Sequence, residues 1–277
     1  MFWVGGHVVQ GDVEGEVHMY TDPEMDAVES RPRSSAPVLR GDLSLLADRY
    51  RQSYLAASPW PHLVLEDLVD PAIIAAAESE ELKPALELHV RRTKRMVKAQ
   101  SPVPSGPAAR EILQALGSDE FLAFLEDLTG ISGLIADPTH YWAGLHVFPP
   151  GSFQALHRDF RVHPVNGLFH RVNVIVYLNR DWKGEYGGNL ELWKHDMSSH
   201  DQVAPRAGST VIFENTSASL HGVNEVFRCP PGGARLSLAT NYYTVSPGAG
   251  DWKETRFRRP KRPQDPWYLG FKVRRSS

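Results

Sequence analysis

The chain has 277 residues, 42% of them hydrophobic and 23% charged, with a formal net charge of −3 and a single cysteine, Cys229. That apolar content supports a sizeable core and excludes disorder throughout, collagen-like repeats and coiled coils. No apolar window approaches the length of a membrane-spanning helix, and the near-neutral charge gives no argument for nucleic acid as the main partner. The opening MFWVGGHVVQGDVEGEV has neither a basic region nor a clean apolar stretch, and one cysteine allows no internal disulfide, so a cytoplasmic, reducing setting is expected.

Residues 1–39 mix Gly, Pro, Ser and acids without a period and are expected to form a poorly ordered leader, with Met19 and Met25 inside it as alternative starts. From Val38 to Ala57 the spacing of Leu43, Leu46, Tyr50 and Tyr54 predicts a helix. Pro59 and Pro61 break it, and His62–Leu65 reads as a short strand. Asp70-Pro71 supplies an N-cap and a proline at the first helical position, opening a helix over 71–82. Residues 83–106 are mixed. They carry the basic run Arg91, Arg92, Lys94, Arg95 and Lys98, by default a solvated face and otherwise the wall of a cleft for a charged substrate. Residues 107–128 are helical, split near Gly117.

After Gly130 helical periods stop. Short β-rich runs follow at 141–148, 171–179, 189–194, 209–214, 221–227 and 234–244, with Gly, Pro, Asn and Asp turns between them. Many short strands with regular turn signals predict a sandwich or barrel. The expected architecture is mainly β with helical support: one domain over 40–245, helical to about 135 and β-rich from 136. The tail, 246–277, holds nine Lys/Arg against three acids, with Trp252, Phe257, Trp267, Tyr268 and Phe271 among them. It is expected to dock its aromatics on the body; a nucleic-acid-binding segment is the alternative.

The segment FQALHRDF, 153–160, places His157 and Asp159 two apart, on one face of a strand. His221 follows Asp159 by 62 residues in SLHGV. Two imidazoles and one carboxylate match the facial triad of non-haem Fe(II) oxygenases, which leaves three coordination positions open. Fourteen residues after His221 comes Arg235, set in the apolar and aromatic strand RLSLATNYYT. A buried guanidinium needs an anion, and its planar fork fits a carboxylate. Ser237, two residues on, shares its face.

This combination resembles the 2-oxoglutarate- and Fe(II)-dependent dioxygenases, most closely their prolyl-4-hydroxylase-like branch. The supporting segments are PPGSFQALHRDF, RVNVIVYLNRDW, GGNLELW, PRAGSTVIFEN, SLHGV and RLSLATNYYT, in the family's order. The resemblance implies a double-stranded β-helix, or jelly-roll, with N-terminal helices packed on one sheet. It implies His157, Asp159 and His221 as iron ligands, and Arg235, assisted by Ser237 and Tyr177, as the clamp on the distal carboxylate of 2-oxoglutarate. It gives Gly187-Gly188 a role in backbone geometry alone. The cofactors implied are Fe(II), 2-oxoglutarate and O2, with an ascorbate requirement left open; the co-products are succinate and CO2.

Two departures stand out. Phe148 occupies a place where the branch often has a tyrosine that contacts the co-substrate, and the interval from His221 to Arg235, containing RCPPGGA, is longer than in many relatives. Asp159 fills the position that related halogenases leave small, which points to hydroxylation. Asn173, Arg161, Trp193 and Tyr141 are candidates to line the substrate cavity. Arg158 is expected on the opposite face, in an ion pair, and His195 and His200 in a loop. The substrate implied is an amino acid, a peptidyl residue, a natural product or a sugar. Rival readings are a non-enzymatic metal- or oxo-acid-binding jelly-roll, a cupin-type dioxygenase without 2-oxoglutarate, and a nucleic-acid repair dioxygenase. Oligomeric state is not legible.

Overall fold

The computed structural model describes residues 37–246 and, near the N-terminus, three short strands. These strands are β1 (Phe2–Val4), β2 (His7–Gly11) and β3 (Val17–Tyr20), paired antiparallel in that order. The remainder of the expected leader up to residue 36, and the basic aromatic tail from 247 onward, lie outside the described residues.

The first part of the larger unit holds four helices, three of them started by a capping side chain next to them in sequence. In α1 (Leu43–Ala56), the Asp42 carboxylate accepts from the backbone N–H of Ser44 and Leu45. Asp70 caps α2 (Pro71–Glu87), with Pro71 at a position whose N–H would be unpaired anyway. This helix runs past the expected end at 82, through Pro84. α3 (Pro107–Leu116) starts at Gly106, which has no capping side chain. Instead Glu81 accepts from Gly106 N–H at 2.6 Å and Glu80 from Ala108 N–H at 2.9 Å, so α2 caps α3. α4 (Asp119–Thr129) is capped by Ser118 and closed by Gly130 in the left-handed conformation.

The strands form a jelly-roll. One sheet runs β4 (His62–Leu65), β13 (Thr210–Glu214), β10 (Phe169–Tyr177), β15 (Arg235–Thr244) and β8 (Gly144–Phe148), with the short β7 (Ile135–Ala136) also on β15. The other runs β12 (His200–Val203), β11 (Leu190–Trp193), β14 (Leu220–Val223) and β9 (Phe153–His157). β6 (Met96–Ser101), flanked by β5 (Arg91–Arg92), joins the two. Its first residues pair with β9 and its last with β8.

Alternation along the strands sorts core from site. On β10, Val172, Val174 and Val176 join the core with the helices, while Asn173 and Ile175 face the cavity between the sheets. On β15, Leu236, Leu238 and Tyr242 are core; Arg235, Ser237, Ala239 and Asn241 face the cavity. Burying one face of the sheet against α1, α3 and α4 fixes the register, because a one-residue slip would turn Arg235 into the helical core.

Candidate active site

β9 ends at His157, and His221 sits directly opposite it on β14. Each imidazole turns Nδ1 to the carbonyl two residues back: His157 to Ala155 at 3.0 Å, His221 to Ser219 at 2.9 Å. A carbonyl only accepts, so Nδ1 carries the proton and each Nε2 keeps a lone pair for a metal. Asp159 is not on the strand, as its spacing from His157 suggests, but in the chain just beyond. It reaches back, Oδ1 to 3.3 Å from His157 Nε2 and Oδ2 to 3.6 Å from His221 Nε2. One donor atom from each of the three lies within 4.8 Å of the others. Burial alone would raise Asp159, but the facing imidazoles of His221 and His157 outweigh it and hold the carboxyl well below the usual carboxylate range. Two imidazoles whose Nδ1 atoms are already engaged by backbone carbonyls, and a fixed carboxylate, fit a divalent metal.

Gly222 is a positioning residue that sequence reading passed over, although it lies in the SLHGV segment. The β9–β14 register shifts between His221 and Val223. A Cβ on Gly222 would lie 2.8 Å from the Gln154 carbonyl oxygen and 3.0 Å from that of Ala155. Gly222→Ala is therefore expected to push β14 off β9, part His221 from His157 and lower Fe(II) affinity at least tenfold, read by anaerobic metal titration. Unchanged affinity would mean that the strands part without moving the imidazole.

Arg235 is 3% exposed, and no acidic side chain pairs with it among the described residues. Its guanidinium lies between two rings, 4.8 Å from the Phe148 centroid and 5.0 Å from that of Tyr177. Nε donates to the Gly188 carbonyl at 2.9 Å and Nη2 to the Tyr177 hydroxyl at 3.4 Å. The glycine pair thus does more than shape a turn. Both glycines have positive φ, 63° and 72°, and that bend delivers the Gly188 carbonyl to Arg235. Burial lowers the Arg235 pKa and raises that of Tyr177. The phenol therefore stays protonated, accepting from Arg235 and free to donate onward. Ser237 is buried two residues along β15 and faces the same cavity. The group offers one positive charge and several hydrogen-bond donors to the cavity.

The cavity holding both groups has a volume of about 650 Å³, within the range of small-molecule sites. Its apolar wall includes Phe148, Ile175, Leu190, Phe213 and Val223. Asn173 lines it. Arg161, Trp193 and Tyr141 do not. Arg161 lies over the Phe169 ring; Tyr141 packs against Phe160 and His163. Trp193 is core, donating from Nε1 to Glu191 at 2.7 Å and stacking on His200. That stacking follows from His200 lying on β12 rather than in a loop. Arg158 borders the cavity and donates to the Ser217 carbonyl at 2.8 Å. Lys98, also bordering it, was hidden in the basic run of the mixed segment. Burial pushes its pKa down to about 8.

Burial holds four histidines, His140, His146, His170 and His221, below the ordinary 6.5, with His221 down to about 4. The unfolded chain therefore binds more protons than the folded one between pH 6.5 and about 4. The metal-free protein is expected to lose stability as pH falls through that window, so its urea midpoint should drop from pH 7 to pH 5. A midpoint independent of pH would contradict the buried, neutral imidazoles.

Residues 143–243 match the family model described as the 2OG-Fe(II) oxygenase superfamily. No curated protein matches the chain in sequence. Among solved structures, a prolyl-4-hydroxylase from Pseudomonas putida is 20% identical, with a TM-score of 0.52; the match covers 74% of this chain and 100% of that one. A prolyl hydroxylase from Trichoplax adhaerens, in complex with a hypoxia inducible factor oxygen degradation domain peptide fragment, is 14% identical, with a TM-score of 0.53 over 73% of this chain and 90% of that one. A prolyl 4-hydroxylase from Phytophthora capsici is 18% identical, with a TM-score of 0.52 over 77% and 69%. The fold is thus the jelly-roll of the prolyl-4-hydroxylases. The matched segment, 143–243, is similar to the 2OG-Fe(II) oxygenase superfamily and contains His157, Asp159, His221 and Arg235. That match and the shared fold support an oxygenase that uses Fe(II), 2-oxoglutarate and O2. No helix among the described residues is long and apolar enough to cross a membrane.

Proposed function

We propose that this oxygenase, a single domain over 40–245, hydroxylates an unactivated C–H bond, with His157, Asp159 and His221 holding the iron. In the same reading Arg235 and Tyr177, with Ser237 beside them, seat the distal carboxylate of 2-oxoglutarate, and succinate and CO2 are the co-products. The observation that carries it is the pairing, in one cavity, of a His-Asp-His donor set with a buried, acid-free guanidinium. When bound, the iron and 2-oxoglutarate supply the oxidising power for oxygen insertion. The chain supplies geometry. The Ala155 and Ser219 carbonyls fix the two imidazoles, and Arg235 holds the diacid by its far end so that its keto-acid end lies toward the triad. Phe148, Ile175, Leu190, Phe213 and Val223 keep water from the space between. Asp159 fills the position that a halide would need.

The names of the similar structures favour a prolyl or other amino-acid centre, free or in a peptide, over a sugar or natural product. The test is mass spectrometry of a panel of proline-containing peptides and free amino acids, incubated with iron, 2-oxoglutarate and O2. A gain of one oxygen atom, matched mole for mole by succinate, is the expected result. Succinate formed with chlorination or desaturation of the product would overturn the hydroxylase assignment.

A further inference from the structure

We propose that Lys98 is a specificity-determining residue that receives a carboxylate of the molecule being oxidised, so that the preferred substrate is an organic acid or a residue presenting a carboxylate. The inference rests on the oxygenase reading above and names the substrate class of that same site.

Lys98 is 3% exposed, borders the cavity, and is held by no hydrogen bond or ion pair among the described residues. A buried ammonium without an anion is costly unless a ligand completes it. Its place follows from register. Ala99 pairs with Val147 and Val147 with Leu236, across β6, β8 and β15. One residue on, Lys98, Phe148 and Arg235 fall in a row, and all three border the cavity. Phe148 stands between the two cations, its ring under the Arg235 guanidinium.

Charge counting separates their tasks. Among the described residues, Arg91, Lys94, Arg95, Lys98, Arg158 and Arg235 border the cavity, against Asp159 as the only acid. A divalent iron balances the two charges of 2-oxoglutarate, and Arg235 balances Asp159. On the β5–β6 wall, Arg91, Lys94 and Lys98 then keep their positive charge. Arg91 lies at its outer end, over the half-exposed Trp142 ring at 5.3 Å, where it would draw an acid toward Lys98. This wall is the basic run that the sequence offers either as a solvated face or as the lining of a charged-substrate cleft.

The experiment uses the full-length protein loaded with Ni(II) and 2-oxoglutarate, titrated calorimetrically with two matched probe pairs. The pairs are N-acetyl-L-proline with its amide and 1-naphthoate with 1-naphthamide. The wild type should bind each acid at least tenfold more tightly than its amide. Lys98→Met should bring that ratio to about one, Lys98→Arg should keep most of it, and 2-oxoglutarate affinity should stay within threefold in both. Equal binding of acid and amide by the wild type, or an acid preference that survives in Lys98→Met, would overturn the proposal. So would a tenfold loss of 2-oxoglutarate affinity in Lys98→Met, which would assign the ammonium to the co-substrate. Wild-type protein that binds no 2-oxoglutarate would instead overturn the oxygenase reading, while the acid-to-amide ratio is still read on the Ni(II)-loaded protein.

Discussion

Replacing Arg235 with methionine is expected to weaken 2-oxoglutarate binding roughly 100-fold or more while leaving Fe(II) binding intact. Two charge-assisted hydrogen bonds to a desolvated carboxylate are together worth about 3 kcal/mol or more, and each 1.4 kcal/mol is tenfold. The proposed metal donors lie elsewhere, on β9, β14 and the chain after His157. The same variant should be no less stable than the wild type without ligand. Arg235 is buried between Phe148 and Tyr177 with no acid to offset its desolvation, and burial lowers its pKa. An apolar side chain of similar length removes that cost. Thermal unfolding with and without 2-oxoglutarate separates the two effects. The wild type should gain stability from the diacid and Arg235→Met should not. Equal stabilisation of both proteins would place the diacid elsewhere.

The second large effect is at Asp159. Asp159→Ala is expected to lower Fe(II) affinity by more than roughly 100-fold and to abolish succinate formation. Loss of a partner behind a ligand already costs roughly 10–100-fold, and among the described residues Asp159 is the only anion facing the two imidazoles. The substitution should leave the fold in place, because the side chain is anchored to the two imidazoles rather than to the helical core. Arg235→Met and Asp159→Ala should thus fail differently: one loads iron but not the diacid, the other does not load iron. Anaerobic calorimetry with each ligand in turn reads the difference. Near-normal Fe(II) affinity in Asp159→Ala would remove the carboxylate from the donor set.

The strands that could be read from sequence are those whose two faces meet different surroundings. β10 and β15 alternate between core residues and cavity residues; β8, β11, β13 and β15 fall within the expected runs, and β10 and β14 overlap theirs. The helices were legible through the spacing of their apolar residues and, for α2, through the Asp70-Pro71 cap. β6 was not. Its cavity face carries Lys98, and the adjoining residues include Arg91, Arg92, Lys94 and Arg95, so a strand lining a charged site has the pattern of a solvated segment. β12 was missed for a related reason: His200, Asp201 and Gln202 are exposed along an edge. The His-Asp-His cluster and Arg235, which share one cavity, stood out because the chemistry proposed for each needs a particular side chain. The Gly188 carbonyl and the close approach of Gly222 to β9 could not, because a backbone contact leaves no side-chain signature. Arg161, Trp193 and Tyr141 were plausible by proximity in sequence, but aromatic packing and hydrogen bonds draw them away from the cavity.

The central claim is that one cavity holds iron on His157, Asp159 and His221 and 2-oxoglutarate on Arg235. Its most direct test is anaerobic addition of 2-oxoglutarate to the Fe(II)-loaded full-length protein, followed by visible absorption and then by succinate release on admission of O2. A saturable metal-to-ligand absorption with one diacid per iron, absent in Asp159→Ala and shifted to much higher diacid concentration in Arg235→Met, is the predicted result. Folded protein that binds neither iron nor 2-oxoglutarate would contradict it.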